Sequence, residues 1–297
     1  MLFNKRVIVF LTIFCLLIFG GCKRNSSDYN AVSDADTSKV EEDAIKKAKN
    51  IFYLMYLPSE MYKVFEKAGA MYNPSILNPV ENVNQYAASS KAAMNLGVYG
   101  VDLSYNKIFS QNQKTLIYFA VIHRLSQQLG IPDYEFASVL KKIEKNINNK
   151  DSLTFYASEI YRQTNQFLNE NERQATATLI IMGGWIEALY IASKISVENV
   201  SNKEIIERIA FQKYSLRSLI SLLNNYVGDN TVVEYLLMLK SLKQAFDNFE
   251  IYYEPGDLNI DTINKMVSAN KIHINLTKEN IAQINQVIND IRKQIVN

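Results

Sequence analysis

The pattern of apolar and polar positions divides the chain into three segments. Residues 7–19 are uncharged and apolar, residues 23–38 contain almost no large apolar side chain, and residues 39–297 repeat apolar side chains every three or four positions. A short apolar run suits the core of a secretory signal peptide, whereas a polar stretch cannot bury enough surface to fold. Three- and four-residue spacing is typical of amphipathic α-helices. We therefore predict a signal peptide over 1–21, a tether over 22–38 and a helical domain over 39–297.

The helical domain is predicted to be all-α, because strand-like alternation is rare in it. Only Lys271–Leu276 alternates like a strand, and Pro255-Gly256 predicts a tight turn. The expected architecture is an irregular antiparallel bundle of about nine to eleven helices, with a degenerate helical-repeat array as the alternative. Capping residues and breakers place the later helices over 80–96, 111–129, 134–147, 152–168, 170–196, 201–227, 230–252, 261–269 and 281–296, with a break at Gly97 and Gly100.

The residues around the first apolar run refine its interpretation. Lys5 and Arg6 precede the run, and two glycines and Cys22 follow it. A positive head, an apolar core and small residues before a cut are the anatomy of a secretory signal peptide. The small pair before the cysteine resembles the lipobox of bacterial lipoproteins, with Phe19 in the place that usually holds a leucine-like residue. The resemblance implies that Cys22 is lipidated and becomes the first residue of the mature protein.

Two other interpretations of this segment stay open, an uncleaved membrane anchor and an ordinary signal peptide cut elsewhere. A spanning helix needs ~20 apolar residues, which is longer than this run, and no A-x-A-like site lies nearby. In bacterial lipoproteins an aspartate after the cysteine often signals retention at the inner membrane, and here that residue is Lys23. The resemblance therefore implies an outer-membrane lipoprotein that faces the periplasm and contacts the membrane through lipid on Cys22.

Charge and cysteine content narrow the classes of partner. The chain has 32 Lys and Arg against 30 Asp and Glu, and Lys5 and Arg6 carry the whole excess. A neutral mature chain argues against nucleic acid as a partner, because that needs a basic footprint. Cys15 lies in the signal core and Cys22 is the lipid site, so we predict no disulfide and no thiolate chemistry in the mature fold.

Catalytic and metal-binding motifs are weak throughout. His123 and His273 are the two histidines of the chain, and neither has a helix-spaced carboxylate that would suggest a zinc site. The sequence also contains no nucleophile turn of the Gly-x-Ser-x-Gly kind and no phosphate-binding glycine loop. We therefore predict no catalytic residue, no metal and no cofactor.

Two lone acids stand in apolar surroundings. Asp102 lies in VYGVDLSY and Glu187 in LIIMGGWIEALYIA. A charge in an apolar run must be paired, protonated or exposed, so either acid could serve as a general acid with a raised pKa. The structural alternatives are that Asp102 caps a helix after the glycine break and that Glu187 pairs with an arginine in the core.

Gly183, Gly184 and Trp185 indicate a close helix crossing. Small residues let two helices approach, and the tryptophan beside them is a large apolar anchor. The surrounding stretch, Thr178–Ala192, is too short and interrupted to span a membrane, so we predict that it is the central buried helix.

The segment 69–105 is the candidate functional surface, because irregular backbone carries function more often than regular helix does. It combines two asparagine-proline turns and two glycines with the candidate ligand or partner residues Tyr72, Tyr86, Tyr99, Asp102 and Tyr105. An ordinary helix connection with tyrosines filling its gaps is the alternative. The run YNPSILNPVENVNQYAASSKAAMNLGVYGVDLSY looks like a block found in uncharacterised helical lipoproteins of Gram-negative bacteria. That resemblance implies a helical envelope protein and no catalytic residue.

Three functional hypotheses follow from these observations. The first is a binding or scaffold lipoprotein that holds an envelope protein or a small ligand. The second is an envelope-acting enzyme that uses Glu187 or Asp102, which would require paired carboxylates within about 5–10 Å for glycoside hydrolysis. The third is a structural spacer without a binding site.

Overall fold

The computed structural model describes residues 64–67, 69–133, 162–198, 203–262 and 266–297. All of them belong to one compact unit, Ala44–Asn297. The predicted signal peptide, the tether, Cys22 and the predicted helix over 134–147 lie outside the described residues.

The described residues form an all-α fold, as predicted. Six α-helices of 17 to 25 residues make up most of it: α1 Ser89–Ile108, α2 Asn112–Gln128, α3 Gln174–Glu198, α4 Lys203–Leu223, α5 Asn230–Asp247 and α6 Lys278–Val296. Further helical residues lie at 64–67 and 162–170, and short 3₁₀ helices span Pro74–Ile76, Val80–Gln85 and Asn224–Tyr226. The fold class was accessible from the sequence because it depends on local periodicity.

The centre of the fold is the contact between α1 and α3. A Cβ atom at Gly97 would lie 2.6 Å from the backbone nitrogen of Gly184, and one at Gly183 would overlap the carbonyl of Met94. The two backbones therefore touch at positions where no side chain fits. Trp185 is buried beside this contact and donates its indole N–H to Gln212 Oε1 on α4 at 3.0 Å. The predicted close crossing and tryptophan anchor are confirmed.

The predicted break at Gly97 and Gly100 is wrong. A 3₁₀ helix, Val80–Gln85, comes first, and α1 then runs without interruption through both glycines. Gly97 is required because α3 occupies the space of its side chain, whereas no atom of the described residues lies within 4 Å of a Cβ at Gly100. A glycine that serves packing looks like a helix breaker when only the sequence is read.

The predicted long helix over 170–196 is divided at its start. Glu172 has a positive φ of 56°, and α3 begins at Gln174. Within the described residues, the stretch Gln174–Ser196 is long and apolar enough to cross a membrane, but most of it is buried inside the protein, and a core helix meets the same criteria. The prediction of a central buried helix holds, although the helix is longer than 178–192.

The remaining helices mostly follow the predicted bounds. Helix α2 differs from its prediction by one residue at each end. Helix α6 begins at Lys278, three residues before the predicted start, and Thr277 caps it: its hydroxyl accepts the Asn280 N–H while the Asn280 side chain accepts the Thr277 N–H. Helix α5 ends at Asp247, five residues before the predicted end.

The chain between α5 and α6 forms a small β structure, which we call the arm (residues 250–262 and 266–276). Strand β1, Ile251–Tyr252, pairs antiparallel with β4, His273–Ile274. Between them, β2, Leu258–Asp261, pairs antiparallel with β3, Met266–Ala269. The predicted helix over 261–269 is therefore wrong, and the predicted strand over 271–276 is reduced to two paired residues. Local propensity failed here because β2 and β3 depend on pairing with each other.

Candidate functional site

The predicted tyrosine surface lies mostly inside the protein. Tyr86, Tyr99, Asp102 and Tyr105 are buried, and Tyr72 is half-buried. The structure therefore corrects their placement: they join the loop before α1 to the helices instead of facing a partner. Tyrosines serve this purpose well because a buried ring gains apolar contacts while its hydroxyl reaches a polar group.

Asn78 is the centre of this buried polar network. Its backbone N–H donates to Asp102 Oδ2 at 3.1 Å, and its carbonyl accepts the hydroxyl of Tyr118 at 3.0 Å. Its side-chain amide donates to Tyr86 Oη at 2.9 Å and to Asn95 Oδ1 at 3.2 Å. Every polar group of this buried residue thus has a partner, which is the condition for burying an asparagine at low cost.

The same network receives the carboxyl-terminal end of α6. Tyr86 donates its hydroxyl to the Val296 carbonyl at 3.0 Å, and Asn95 donates to the Ile295 carbonyl at 2.9 Å. The ammonium group of Lys91 donates to the Gln294 carbonyl. The last carbonyls of a helix have no partner within the helix, and a cation there is favoured by the helix dipole. Helix α1 and the preceding loop therefore cap α6.

Contacts of Tyr72 and Tyr105 hold the loop 70–79 to α1. Tyr72 donates its hydroxyl to Asn106 Oδ1 at 2.7 Å, and Tyr105 accepts the Asn73 N–H at 3.1 Å. The rings of Tyr72 and Tyr105 stack with centroids 5.8 Å apart. The alternative interpretation of this segment, a helix connection with tyrosines in its gaps, describes what the structure shows.

Glu187 forms a bidentate ion pair with Arg292 of α6. Arg292 Nε donates to Glu187 Oε2 at 2.7 Å and its Nη2 donates to Oε1 at 2.8 Å, while Nη2 also donates to the Ile76 carbonyl at 3.1 Å. The guanidinium lies 4.0 Å from the centroid of the Tyr190 ring. Burial alone would lower the pKa of Arg292, but the Glu187 carboxylate outweighs burial and raises it. Glu187 is thus paired with an arginine in the core, the structural alternative considered for it.

Asp102 lies beside this ion pair in the middle of α1, so the predicted capping role is wrong. Burial, and next the charge of Glu187, raise the pKa of Asp102 well above its ordinary value of 3.8. Asp102 Oδ1 accepts no hydrogen bond from the described residues, and a proton on it allows donation to the Glu187 side chain. A neutral Asp102 leaves one carboxylate opposite one guanidinium, which balances the buried charges.

The arrangement of the two acids suits a structural role. Both carboxyl groups are fully buried, and Glu187 is held at both oxygens by Arg292. A general acid must come within hydrogen-bond reach of its substrate, and these groups face α1, α3 and α6 instead. The raised pKa of Asp102 therefore follows from its burial and from the nearby charge of Glu187.

The arm has the opposite character, because it exposes apolar side chains. Leu258 pairs with Ala269, and Ile260 pairs with Val267, so these four residues share one face of the hairpin. All four are exposed, and 64% of Ile260 and 65% of Val267 is accessible. The opposite face carries the polar pair Asn259 and Ser268 and, at its end, the pair of Asp261 and Met266, of which Met266 is 61% exposed. One face of the hairpin is thus wholly apolar and lies in solvent, whereas the other is mostly polar.

The base of the arm brings together three side chains that no motif in the sequence connects. Glu254 and Asp257 flank the predicted Pro255-Gly256 turn, and His273 on β4 lies opposite. His273 Nε2 is 3.0 Å from Asp257 Oδ2 and 3.6 Å from Glu254 Oε2. The other histidine, His123, lies 3.2 Å from Asp133 on a different part of the surface.

The arm residues were missed although a signal was present. The stretch Leu258–Asp261 alternates apolar and polar side chains, which is the period of a half-buried strand. The carboxylates beside His273 are not at helical spacing, since they are 16 and 19 positions earlier in the chain. Pairing of β1 with β4 closes that distance.

Comparisons of this chain with models of protein families, with curated proteins and with solved structures found no match.

Proposed function

We propose that this protein is a lipid-anchored helical lipoprotein of the bacterial cell envelope, held at the periplasmic face of the outer membrane, that binds a partner protein through the apolar face of the arm. The anchoring part of the proposal rests on the signal-peptide pattern and on Cys22. The binding part rests on the exposed hairpin face.

The exposed apolar face carries the binding proposal. Burial of apolar surface contributes roughly 25 cal/mol per Å², so a hairpin that keeps its apolar residues in solvent loses this gain. A two-stranded hairpin is also marginally stable alone. Among the described residues, β2 and β3 pair only with each other, so each strand leaves one edge open. A partner that covers the face of Ile260 and Val267, or adds a strand to an edge, would supply the missing contacts.

The position of the arm also favours a contact role. It joins α5 to α6, and these two helices pack against each other within the body. At its base, Glu250 and Asn275 exchange hydrogen bonds, and the two residue pairs of β1 and β4 follow. The hairpin beyond them can thus be altered without disturbing the core network around Asn78.

The anchoring proposal is tested by Cys22→Ser in the full chain expressed in a bacterial host. We expect the variant to leave the membrane fraction, because the lipid on Cys22 is the proposed attachment. Cys15→Ser is the matched control, since Cys15 lies in the proposed signal core and should not affect attachment. If Cys22→Ser stayed with the membranes after a salt wash, the lipid-anchor proposal would be wrong.

The binding proposal is tested by photo-crosslinking in living cells from single positions on the two hairpin faces. A crosslinking residue at Ile260 or Val267 should capture one dominant protein, whereas the same residue at Asn259 or Ser268 should not. Equal capture from both faces would contradict a specific apolar interface. Capture of lipid alone from Ile260 and Val267 would show that the apolar face contacts the membrane and not a protein. No capture from either face would favour the spacer hypothesis.

A further inference from the structure

We propose that Glu254, Asp257 and His273 bind a divalent transition-metal ion at the base of the arm. This inference is independent of the proposed function, because it depends only on the geometry of three side chains. The three can offer ligand atoms that all lie within 4.8 Å of one another.

The turn between β1 and β2 brings the two carboxylates together. The Asp257 N–H donates to the Glu254 carbonyl at 3.0 Å, which closes a four-residue turn with Pro255 and Gly256 at its centre. Gly256 has φ of +92°, the left-handed conformation that the third position of a type II turn needs. Residues i and i+3 of such a turn lie side by side, and Asp257 Oδ2 also accepts the Glu254 N–H at 2.7 Å.

The two distances from His273 to the carboxylates are close to those between neighbouring ligands of one small cation. Zinc binds nitrogen and oxygen ligands at about 2.1 Å, so neighbouring ligand atoms lie about 3.0 Å apart at right angles and about 3.4 Å apart at the tetrahedral angle. His273 Nε2 lies 3.0 Å from Asp257 Oδ2 and 3.6 Å from Glu254 Oε2. A small movement of Glu254, whose side chain is 58% exposed, completes the set.

The Nε2 atom of His273 is buried and makes no hydrogen bond with the described residues. Asp257 Oδ2 lies at ion-pair distance from it, 3.0 Å, and Glu254 Oε2 lies farther away, at 3.6 Å. The ring is held in place by stacking on Tyr252, with centroids 5.2 Å apart and an angle of 18°. A buried nitrogen without a partner is costly, and a metal ion would satisfy it.

The donor set indicates the class of ion. Imidazole suits Zn²⁺, Fe²⁺, Ni²⁺ and Cu²⁺, whereas Mg²⁺ and Ca²⁺ prefer ligands that are all oxygen. One nitrogen and two carboxylates form a three-ligand protein site that leaves at least one position for water or a fourth group. Such an ion would also tie the β1–β2 turn to β4 and so fix the base of the arm.

The test uses the purified full chain in detergent, stripped of metal and titrated with Zn²⁺, with the two histidine side chains observed by NMR. Two histidines give two sets of imidazole signals, so His123 is an internal control. We expect Zn²⁺ at one equivalent to shift the His273 signals and leave those of His123 unchanged. Equal shifts of both, or no shift of His273, would overturn the proposal.

Variants distinguish metal binding at this site from nonspecific metal binding elsewhere on the protein. Loss of a second-shell partner typically weakens metal affinity 10- to 100-fold, so loss of a direct ligand in His273→Gln should weaken it at least about 100-fold. The largely exposed Glu254→Gln should preserve the fold and still weaken affinity about 10-fold or more. His123→Gln is the matched control and should bind Zn²⁺ like the unaltered chain. Unchanged affinity in both His273→Gln and Glu254→Gln would refute the site.

Discussion

The network around Asn78 and the arm show two opposite solutions to the burial of polar and apolar groups. In the network, polar side chains are buried and almost every one has a partner, as Asn78 and Glu187 illustrate. In the arm, Ile260 and Val267 are exposed, and a buried nitrogen of His273 makes no hydrogen bond with the described residues. The polar groups of the network find almost all their partners within the chain. The exposed side chains of the arm can gain further contacts only from another molecule or ion.

This difference indicates where function should be sought. A buried polar cluster specifies the packing of helices, and the raised pKa of its Asp102 is explained by burial and by the charge of Glu187. Exposed apolar residues on one face of a marginal hairpin have no such internal explanation. Irregular backbone alone favours segment 69–105 as the functional surface. The exposure of apolar side chains distinguishes the arm from the buried network around Asn78 more clearly.

The largest predicted effect is the loss of the buried ion pair. Glu187→Gln should destabilise the fold by about 3–5 kcal/mol, because it leaves the Arg292 guanidinium without its carboxylate in the core. Chemical denaturation measures the change. Asp102 would then be free to ionise opposite Arg292, so the double variant with Asp102→Asn should lose more than the sum of the single losses. Additive losses would show that Asp102 and Glu187 do not share one balanced charge.

The contact between α1 and α3 gives the next largest effect. Gly97→Ala should cost about 1–3 kcal/mol or more, since the added methyl group meets the backbone of α3. Gly100→Ala on the same helix is the control, because its methyl group would meet no atom of the described part of the chain. That change should stabilise the protein by roughly 0.5–1 kcal/mol through helix propensity. Equal melting temperatures of the two variants would contradict the close crossing.

The pH dependence of stability reports on Asp102. Its pKa is higher in the folded protein than the ordinary 3.8, so the folded state holds the proton longer than the unfolded state. Its contribution to stability is therefore fully present below about pH 4 and falls as the pH rises, by at most about 1.4 kcal/mol per pH unit. Asp102→Asn removes this titration, so its stability relative to the unaltered chain should rise with pH. A difference that is independent of pH would mean that the pKa of Asp102 is not raised in the folded protein.

The smallest predicted effect on stability belongs to the arm. Ile260→Ala should change the free energy of unfolding by no more than about 0.5 kcal/mol, because the side chain is exposed. Ile288→Ala on α6 is the matched substitution in the body, where the side chain is fully buried and its loss should cost about 2–5 kcal/mol. If Ile260→Ala were as costly as Ile288→Ala, the arm would be packed in solution and the proposed contact face would be covered by the chain itself.

Features that depend on neighbouring residues were predictable from the sequence. The turn at Pro255-Gly256 appears as expected, because it is decided within four residues. The role of Trp185 as an anchor was also predictable, because Gly183 and Gly184 directly precede it. Predictions failed where a residue serves a distant element: Gly97 is required by α3, and the strands β2 and β3 are required by each other.

The candidate site was predictable only in part for the same reason. An arginine partner for Glu187 was among the alternatives, but nothing local identifies Arg292, which is 105 positions away. His273 has no carboxylate at helical spacing, and the pairing of β1 with β4 is what brings Glu254 and Asp257 to it. Contacts of this kind are decided by chain topology, which a periodic pattern does not encode.

By itself, the sequence determined that this protein is all-α, because apolar periodicity, caps and breakers act over a few residues and are written in order along the chain. The tertiary structure alone decided which groups are buried and which are exposed. It buried both acids and most of the candidate tyrosines in the core, where hydrogen bonds and the ion pair of Glu187 with Arg292 hold them. It left the apolar face of the arm in solvent, because burial depends on what the rest of the fold brings alongside each residue.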